Sequence, residues 1–390
     1  MVVVGGGYGG ATAAKYLRKL SRGTIDVVLV ERQEAFVSCP LSNLVIGGSR
    51  RLADITVAYD GLDRWGVRRL RDEAVAIDPV ARKIRLAGGE TLAYDRLVLS
   101  PGIDFMWEAV PSLADAEARK KILHAWQAGP QTTALRLQLE AMRDGGVFVI
   151  HVPAMPYRCA PAPYERACQV AFYFSTRKPR SKVIVLDANA EVQSKKAIFT
   201  TAWSERYKGI VDYRPDSELA DVDASTLTAK LAFDDVKADV LNVIPPQCAG
   251  AIARQLGMAN ANARFCQVDF LTYESTVQPG IHVIGDAIQT APLMAKAGQM
   301  ANRQARICAA AVVALLAGEE VDASPSIENL CYSFVDDRRA AHIASLHRYD
   351  PATKTMLAVT RRTEVSAAAS VEEGADAQSW ARNIWADMLS

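Results

Sequence analysis

Seven cysteines are the residues of this 390-residue sequence that offer the most chemistry. Their number is odd and too small for a disulfide scaffold, no two have the spacing of a zinc site, and no CxxCH motif is present to attach a c-type haem, so we predict no metal site. Cys159 precedes a predicted helix, whose dipole would favour the thiolate form. Cys168 and Cys308 have the placement of helix core residues. The seven are Cys39, Cys159, Cys168, Cys248, Cys266, Cys308 and Cys331, and nothing indicates a role for Cys248 or Cys266.

The first elements of the chain predict a dinucleotide site. They comprise a strand over residues 1–4, a GxGxxG motif at Gly5, Gly7 and Gly10, a helix over 11–20 and a strand over 25–30 followed by Glu31. The first glycine permits a tight turn, the second lets a pyrophosphate approach the backbone, and the third lets helix and strand pack closely. The helix N-terminus offers N–H groups to phosphates, and Glu31 is placed to bond ribose hydroxyls.

Two later motifs indicate which dinucleotide is bound. A buried strand over residues 94–100 is closed by Pro101-Gly102, and another over 280–284 ends in Gly285-Asp286. They resemble the auxiliary motifs of FAD-binding flavoproteins with two dinucleotide domains, in which the aspartate binds the ribityl chain. The resemblance implies FAD, bound by a domain made of residues 1–112 and 250–322.

The segment between the two halves of this domain predicts a second βαβ unit, with strands over 146–152 and 182–186 and a helix over 163–174. Its first turn, residues 153–163, contains four prolines and no glycine. Because proline fixes φ and lacks an N–H donor, this turn is unsuited to cradle a pyrophosphate. We therefore predict that residues 113–249 form an inserted domain that binds no NAD(P)H.

Composition excludes other classes of protein. Half of the residues are apolar and 23% are charged, which excludes a disordered or fibrous chain. The net charge of +1 gives no reason to expect nucleic acid or an anionic membrane as a partner. The longest run without a strongly polar group, residues 307–318, is far shorter than the roughly 20 residues of a spanning helix, so no transmembrane segment is expected.

Three cysteine motifs carry a more specific resemblance. They are Phe36-Val37-Ser38-Cys39-Pro40-Leu41-Ser42-Asn43, Pro156-Tyr157-Arg158-Cys159 with Pro163-Tyr164-Glu165-Arg166, and Asn329-Leu330-Cys331-Tyr332-Ser333. Together with residues 243–247 and 379–384 they resemble the flavoprotein subunit of flavocytochrome c sulfide dehydrogenase, over essentially the whole chain. The sulfide:quinone oxidoreductases are the broader relatives. The resemblance implies an α/β fold with two Rossmann-like domains and a C-terminal flavin-capping domain over residues 323–390.

The resemblance also implies roles for individual residues. Cys39 matches the cysteine that joins FAD through a thioether, although Pro40 departs from the family pattern and leaves non-covalent FAD open. Cys159 and Cys331 match the redox-active disulfide at which sulfide is oxidised. Glu165 matches a glutamate near this site that would accept a proton. Trp380 matches a C-terminal aromatic residue that would shield the flavin.

The implied reaction begins with attack of hydrosulfide on the disulfide, after which the released thiolate passes two electrons to FAD. The electron acceptor would be a haem in a cytochrome c subunit, since this chain has no haem motif. A sulfide:quinone oxidoreductase and a non-catalytic flavin-binding or sulfur-carrying subunit remain as alternatives.

The C-terminal residues and the expected location complete the sequence-based expectations. Trp380, Ile384, Trp385, Met388 and Leu389 fall on one stripe of a predicted helix, which we expect to pack against the flavin domain or a partner subunit. A persistent disulfide suits an oxidising compartment, and the family implies the periplasm. Because the first strand begins directly after the initial methionine, we expect the chain to be a mature or trimmed form.

Overall fold

The computed structural model describes residues 1–390 and contains nine α-helices and 23 β-strands. The helices are α1 Tyr8–Leu20, α2 Ser42–Gly47, α3 Ala116–Lys121, α4 Pro130–Ala141, α5 Ala162–Arg177, α6 Lys196–Thr201, α7 Ala251–Gln255, α8 Gly298–Ala317 and α9 Val371–Leu389. The strands are β1 Val2–Val4, β2 Val27–Val30, β3 Ala35–Val37, β4 Thr56–Ala58, β5 Val67–Leu70, β6 Ala74–Asp78, β7 Lys83–Leu86, β8 Thr91–Ala93, β9 Leu97–Leu99, β10 Ile103–Phe105, β11 Val147–Val152, β12 Lys182–Asp187, β13 Val211–Arg214, β14 Leu219–Asp223, β15 Thr228–Leu231, β16 Asp235–Lys237, β17 Val240–Val243, β18 Gln247–Ala249, β19 Ile281–Val283, β20 Ser326–Phe334, β21 Ala340–Asp350, β22 Thr355–Ala358 and β23 Glu364–Val365.

A parallel sheet in the order β19-β9-β1-β2-β5 forms the first layer of the molecule. Its strands are short Val- and Leu-rich runs, typical of parallel strands buried on both faces. Apolar residues of α1 and α8 share one core with these strands. The glycine motif, Glu31, Gly102 and Gly285 all follow the carboxyl ends of strands in this sheet, where ligands bind in open α/β folds.

A second parallel sheet, in the order β13-β12-β11-β17, lies in the middle of the sequence. Helices α4 and α5 pack their apolar faces on it. The antiparallel pair β10 and β18 links the chain where it enters and leaves this region. The two parallel sheets confirm the expected α/β fold class, and the division at residues 112, 249 and 322 stays a prediction.

The C-terminal part is an antiparallel sheet of β20, β21, β22 and β23 with α9 packed beside it. The long β20–β21 hairpin pairs Cys331 with Ile343. Ile384, Met388 and Leu389 of α9 are buried in the core of the first sheet, so the C-terminal stripe packs inward against this sheet. None of the nine helices has the length and apolar character needed to cross a membrane.

Candidate functional site

A cavity with about 1280 Å³ of empty space, counting its open mouth, lies where the two parallel sheets and the C-terminal sheet meet. Residues from all three regions line it, including most of those that the sequence predicts. These are Gly7, Cys39, Gly102, Cys159, Glu165, Gly285, Asp286, Cys331 and Trp380. Gly5, Gly10 and Glu31 lie behind the lining, where they shape the turn after β1. The fold therefore brings residues that are far apart in sequence to one cavity.

The glycine turn has the geometry that a pyrophosphate requires. Gly5 has a φ of +93°, and a Cβ there would lie 2.3 Å from the Ser100 carbonyl oxygen. A Cβ on Gly10 would lie 1.7 Å from the Gly5 carbonyl oxygen. A Cβ on Gly7 would meet no atom within 4 Å, so the space beside it is open to a ligand. Two glycines thus allow the close packing of strand and helix, and the third leaves room for phosphates.

Two carboxylates flank this turn. Glu31 Oε2 accepts a hydrogen bond of 2.5 Å from the Gly6 N–H, and its Oε1 accepts one of 2.7 Å from the Gln33 N–H. Asp286 directs one oxygen toward Arg158 at 3.7 Å, while Oδ1 is buried without a partner. Because buried polar atoms in proteins are nearly always hydrogen-bonded, this oxygen fits a ligand hydroxyl. The residues around the cavity are therefore suited to hold FAD.

Cys39 lies in the loop between β3 and α2, at the cavity wall. Its sulfur is 3.4 Å from the Ala128 N–H nitrogen and 3.4 Å from Arg158 Nη2. The next residue but one, Leu41, has a left-handed backbone with a φ of 73°. The loop therefore presents this thiol to the cavity beside a guanidinium.

Cys159 and Cys331 come together although one follows a strand of the second parallel sheet and the other lies on the C-terminal sheet. Both are free thiols in this structure, close enough for each side chain to shift the pKa of the other. The Cys159 backbone is left-handed, with a φ of 56°, and its N–H donates to the Lys296 carbonyl at 2.8 Å. Cys331 projects from β20. The predicted pair of cysteines is thus adjacent and lines the cavity.

The cysteine of this pair that more readily forms the thiolate is not the one expected from the sequence. The hydrogen bond from Cys159 lowers the pKa of Cys331 to about 6, and the Lys195 ammonium acts in the same direction, while burial opposes both. The same hydrogen bond, together with burial, raises the pKa of Cys159 well above its ordinary value. The expectation that a helix dipole would make Cys159 the thiolate is therefore wrong. The first residue of α5 is Ala162, so Cys159 lies outside the helix, where the interaction with Cys331 and burial outweigh the partial charge of the helix end.

Glu165 lies in the first turn of α5 and is 8% exposed. One carboxylate oxygen accepts a hydrogen bond of 2.7 Å from the Phe334 N–H, and the other accepts one of 2.7 Å from Asn43 Nδ2. Burial raises the pKa of this carboxyl to about 7, against the effect of both donors. At neutral pH the group can therefore give or take a proton beside the two cysteines.

Trp380 closes the cavity from the C-terminal helix. Its indole Nε1–H donates to Gln299 Oε1 at 2.6 Å, and its ring lies 6.4 Å from that of Tyr332. The indole therefore has a fixed orientation over the cavity, held between α8 and β20.

The carboxyl end of the second parallel sheet is satisfied by the protein itself. Asp187, at the end of β12, would face a ribose in a nucleotide-binding unit, yet it is fully buried. Its Oδ2 accepts hydrogen bonds from the hydroxyls of Tyr164 at 2.7 Å and Tyr213 at 3.0 Å. Asn189 occupies the other oxygen through Nδ2 at 2.7 Å and through its backbone N–H at 3.0 Å. These bonds leave this carboxylate no free position for a nucleotide, in keeping with the proline-rich turn.

Several residues of the site were not singled out from the sequence. Asn43 and Arg158 stood inside the cysteine motifs, so their proximity to Cys39 and Cys159 was an available signal. Lys195 and Lys296 had none, because each reaches the site from a loop distant in sequence. Cys168 and Cys308 are fully buried, which confirms them as core residues; Cys248 and Cys266 are buried too.

Three family models match the chain. Residues 132–245 match "Sulfide dehydrogenase [flavocytochrome c] flavoprotein chain, central", and residues 323–389 match "Flavocytochrome c sulphide dehydrogenase, flavin-binding". Residues 1–141 match "Pyridine nucleotide-disulphide oxidoreductase". The models together account for the flavin-domain start, the insert and the C-terminal region.

Individual proteins give a similar picture. Over 45 residues, 12% of the chain, it is 64% identical to the sulfide dehydrogenase flavoprotein chain of Chlorobaculum thiosulfatiphilum, covering 92% of that sequence. It is 23% identical to a mitochondrial sulfide:quinone oxidoreductase of Dictyostelium discoideum, over 73% of this chain and 64% of that protein. The structure of the sulfide:quinone oxidoreductase of Aquifex aeolicus superposes with a TM-score of 0.77 at 17% identity, over 99% of this chain and 91% of that one. This last similarity concerns the fold.

Proposed function

The chain belongs to the family of the flavoprotein chain of flavocytochrome c sulfide dehydrogenase, and on this basis we propose that it oxidises hydrosulfide at a Cys159–Cys331 disulfide and passes the electrons through FAD to a cytochrome c. The observation that carries the proposal is the meeting of these two thiols in a cavity that also contains the glycine turn and Asp286. The coarser assignment, a flavin-binding oxidoreductase of the sulfide dehydrogenase and sulfide:quinone oxidoreductase group, follows from the family.

The cysteines carry out the first step. Hydrosulfide attacks one sulfur of the disulfide, a new S–S bond forms to that cysteine, and the bond between the two cysteines breaks with its electron pair left on the other sulfur as a thiolate. Glu165, with its pKa of about 7, takes up the proton when the entering species is neutral hydrogen sulfide. FAD, when bound, supplies an acceptor for two electrons that can release them singly.

Residues of the chain would hold FAD at both ends of the cavity. The turn at Gly5, Gly7 and Gly10 receives the pyrophosphate, Glu31 the ribose and Asp286 the ribityl chain, and Trp380 covers the site. Cys39 would join the cofactor through a thioether. Acid precipitation tests this bond: the yellow colour is expected to stay with the protein, and free FAD in the supernatant would show that the link is absent.

Bleaching of the bound flavin by sulfide, followed anaerobically in the purified chain, tests the disulfide. We expect the wild type to bleach, and Cys159→Ser and Cys331→Ser to retain FAD without bleaching. Cys248→Ser is the control, because Cys248 is a free cysteine outside the cavity lining and its sulfur bonds only the Asp104 carbonyl. Bleaching in both site variants would contradict the disulfide mechanism, and an unbleached wild type would favour a non-catalytic subunit.

The electron acceptor requires a separate assay. Because the sequence has no CxxCH motif, the cytochrome c that we propose as acceptor would carry its haem on a partner subunit, and a heterodimer in the periplasm would suit both the partner and the disulfide. The similarity to sulfide:quinone oxidoreductases makes a quinone the second candidate. Turnover of sulfide with cytochrome c is expected. Turnover with a soluble quinone alone would assign the second function.

A further inference from the structure

A buried lysine holds the strand that carries Cys331. Lys195 precedes α6 in a left-handed conformation, with a φ of 53°, and is 5% exposed. Its Nζ donates to the Cys331 carbonyl at 2.7 Å, the Ser333 hydroxyl at 2.9 Å and the Ala341 carbonyl at 3.1 Å. All three acceptors belong to the β20–β21 hairpin. The ammonium is therefore fixed at the backbone of one cysteine of the pair.

All three hydrogen-bond acceptors of this ammonium are neutral. A buried charge without an ionic partner is costly, and burial lowers the pKa of Lys195. Nearby negative charges raise the pKa of Lys195 against the effect of burial, and that of Cys331 raises it most. An anion on the Cys331 sulfur would thus supply the counter-charge that the hairpin carbonyls and hydroxyl do not.

We propose that Lys195 is a positioning residue that directs the negative charge to Cys331 when the Cys159–Cys331 disulfide is opened. The inference rests on the proposed function and specifies its first step. Hydrosulfide attacks the Cys159 sulfur, the new S–S bond forms there, the bond between the cysteines breaks, and its electron pair moves to the Cys331 sulfur. No proton moves in this step, and the charge of hydrosulfide ends on a thiolate close to the ammonium.

Other charged groups near the two cysteines also stabilise or destabilise a thiolate there, in addition to Lys195. Glu165 would repel a thiolate, since it raises the pKa of Cys159. Arg158 attracts one, but its guanidinium also faces Cys39 and Asp286. The groups that face the two cysteines and Lys195 are Glu165 and Arg166 from α5, Arg158 and Tyr157 from the turn before it, Tyr8 from α1 and Glu373 from α9. Lys195 is the cation that bonds the backbone of Cys331 itself.

The test measures the reactivity of each thiol without sulfide. The flavin-loaded protein is reduced with dithiothreitol under nitrogen, freed of reductant, and alkylated with iodoacetamide from pH 5 to 10, with each cysteine quantified by peptide mass. Cys331 is expected to be half-reactive near pH 6 and Cys159 only at much higher pH. In Lys195→Gln, which keeps a donor and removes the charge, the Cys331 midpoint should rise by at least about one pH unit, which lowers the rate at pH 6 by at least about fivefold.

Two further variants separate charge from structure. Lys195→Arg keeps the charge and should stay closer to the wild type than Lys195→Gln. Lys178→Gln is the matched control, because Lys178 is also buried and donates to the backbone carbonyls of Leu139 and Glu140. It follows the far end of α5, a helix of 16 residues and so about 24 Å long. This control should leave the Cys331 profile unchanged.

Two results would overturn the proposal: a Lys195→Gln profile equal to that of the wild type, or a wild type in which Cys159 reacts at lower pH than Cys331. The second comparison needs no variant, so it decides even if Lys195→Gln does not fold. The assay is also independent of the proposed function. A wild type that fails to bleach with sulfide would contradict sulfide oxidation while leaving the alkylation profile intact.

Discussion

Glu165 allows a quantitative test of the electrostatics of the cavity. Burial raises the pKa of its carboxyl from 4.5 to about 7. Below pH 4.5 the group is protonated in the folded and unfolded chains alike. As the pH rises toward 7, the unfolded chain loses this proton freely, whereas the folded chain must ionise a buried group. The contribution of Glu165 to the free energy of unfolding is therefore largest at low pH and falls between pH 4.5 and 7.

The size of this fall follows from the shift in pKa. At 1.36 kcal/mol per pKa unit, the folded state loses roughly 3 kcal/mol across this window. An unfolding entropy of about 2.1 cal/mol/K per residue gives about 0.8 kcal/mol/K for 390 residues. The loss therefore corresponds to a fall of about 4 °C in the melting temperature, relative to a protein in which residue 165 does not titrate.

The assay compares Glu165 with Glu165→Gln, both in a Cys331→Ser background so that the adjacent thiol does not titrate. The melting temperature of each is measured by scanning fluorimetry between pH 4 and 8. The substitution also alters the hydrogen bonds from Phe334 and Asn43, which changes the difference between the two melting temperatures by an amount that does not depend on pH. Only the pH-dependent part of this difference reports the ionisation of Glu165. Glu328→Gln, on the exposed side of β20, is the control for the loss of one carboxylate.

We expect the Glu165 protein to lose about 4 °C relative to Glu165→Gln as the pH rises from 4.5 to 7. A difference independent of pH would refute the argument that burial dominates this carboxyl. A difference that grows in favour of Glu165 with rising pH would mean that the two N–H donors stabilise the carboxylate more than burial destabilises it.

Two other predictions concern the flavin side of the cavity. In flavin-free protein Gly7→Ala should melt as the wild type does, because the added Cβ meets no atom within 4 Å. The same variant should nevertheless retain at least about tenfold less FAD per chain. Gly10→Ala should be unstable even without FAD, because its Cβ would lie 1.7 Å from the Gly5 carbonyl oxygen. Equal FAD content in Gly7→Ala and the wild type would contradict the pyrophosphate site. Trp380→Phe should lower stability by about 1–3 kcal/mol, measured by thermal melting, because the buried Gln299 oxygen loses its donor. An unchanged melting temperature would show that this bond contributes nothing.

The glycine turn could be predicted from sequence because its interactions are local. Strand β1, the turn, α1 and β2 follow one another within the first 31 residues, and each glycine meets a constraint that the motif itself creates. The placement of β9 and β19 beside β1 is not local. Their buried apolar runs and terminal glycines predicted buried strands, and the parallel pairing of Val3 with Val98 depends on segments far apart in the sequence.

The cysteine site could not be predicted in the same way. Cys159 follows β11 and Cys331 lies on β20, so their meeting depends on how the second parallel sheet packs against the C-terminal sheet. No periodicity encodes that packing, and the resemblance to a known family supplied the pairing. Lys195 illustrates the same limit, since a loop lysine bonded to distant carbonyls has no sequence signature. The ionisation of the pair was mispredicted because a helix end is visible in the sequence, whereas the contact between the two thiols and the nearby ammonium are not.

The proline-rich turn after β11 connects the predicted lack of a nucleotide site with the position of Cys159. A glycine turn here would direct N–H groups toward phosphates, as the turn after β1 does. In this turn Cys159 has a left-handed backbone tied to the Lys296 carbonyl, which orients its sulfur toward Cys331 and the flavin cavity. The hydroxyls of Tyr164 and Tyr213 meanwhile occupy the Asp187 carboxylate that a ribose would need. The strands of the βαβ scaffold are held by an apolar core. The turn over residues 153–163 therefore contains both the prolines that are unsuited to a pyrophosphate and the cysteine that faces the cavity.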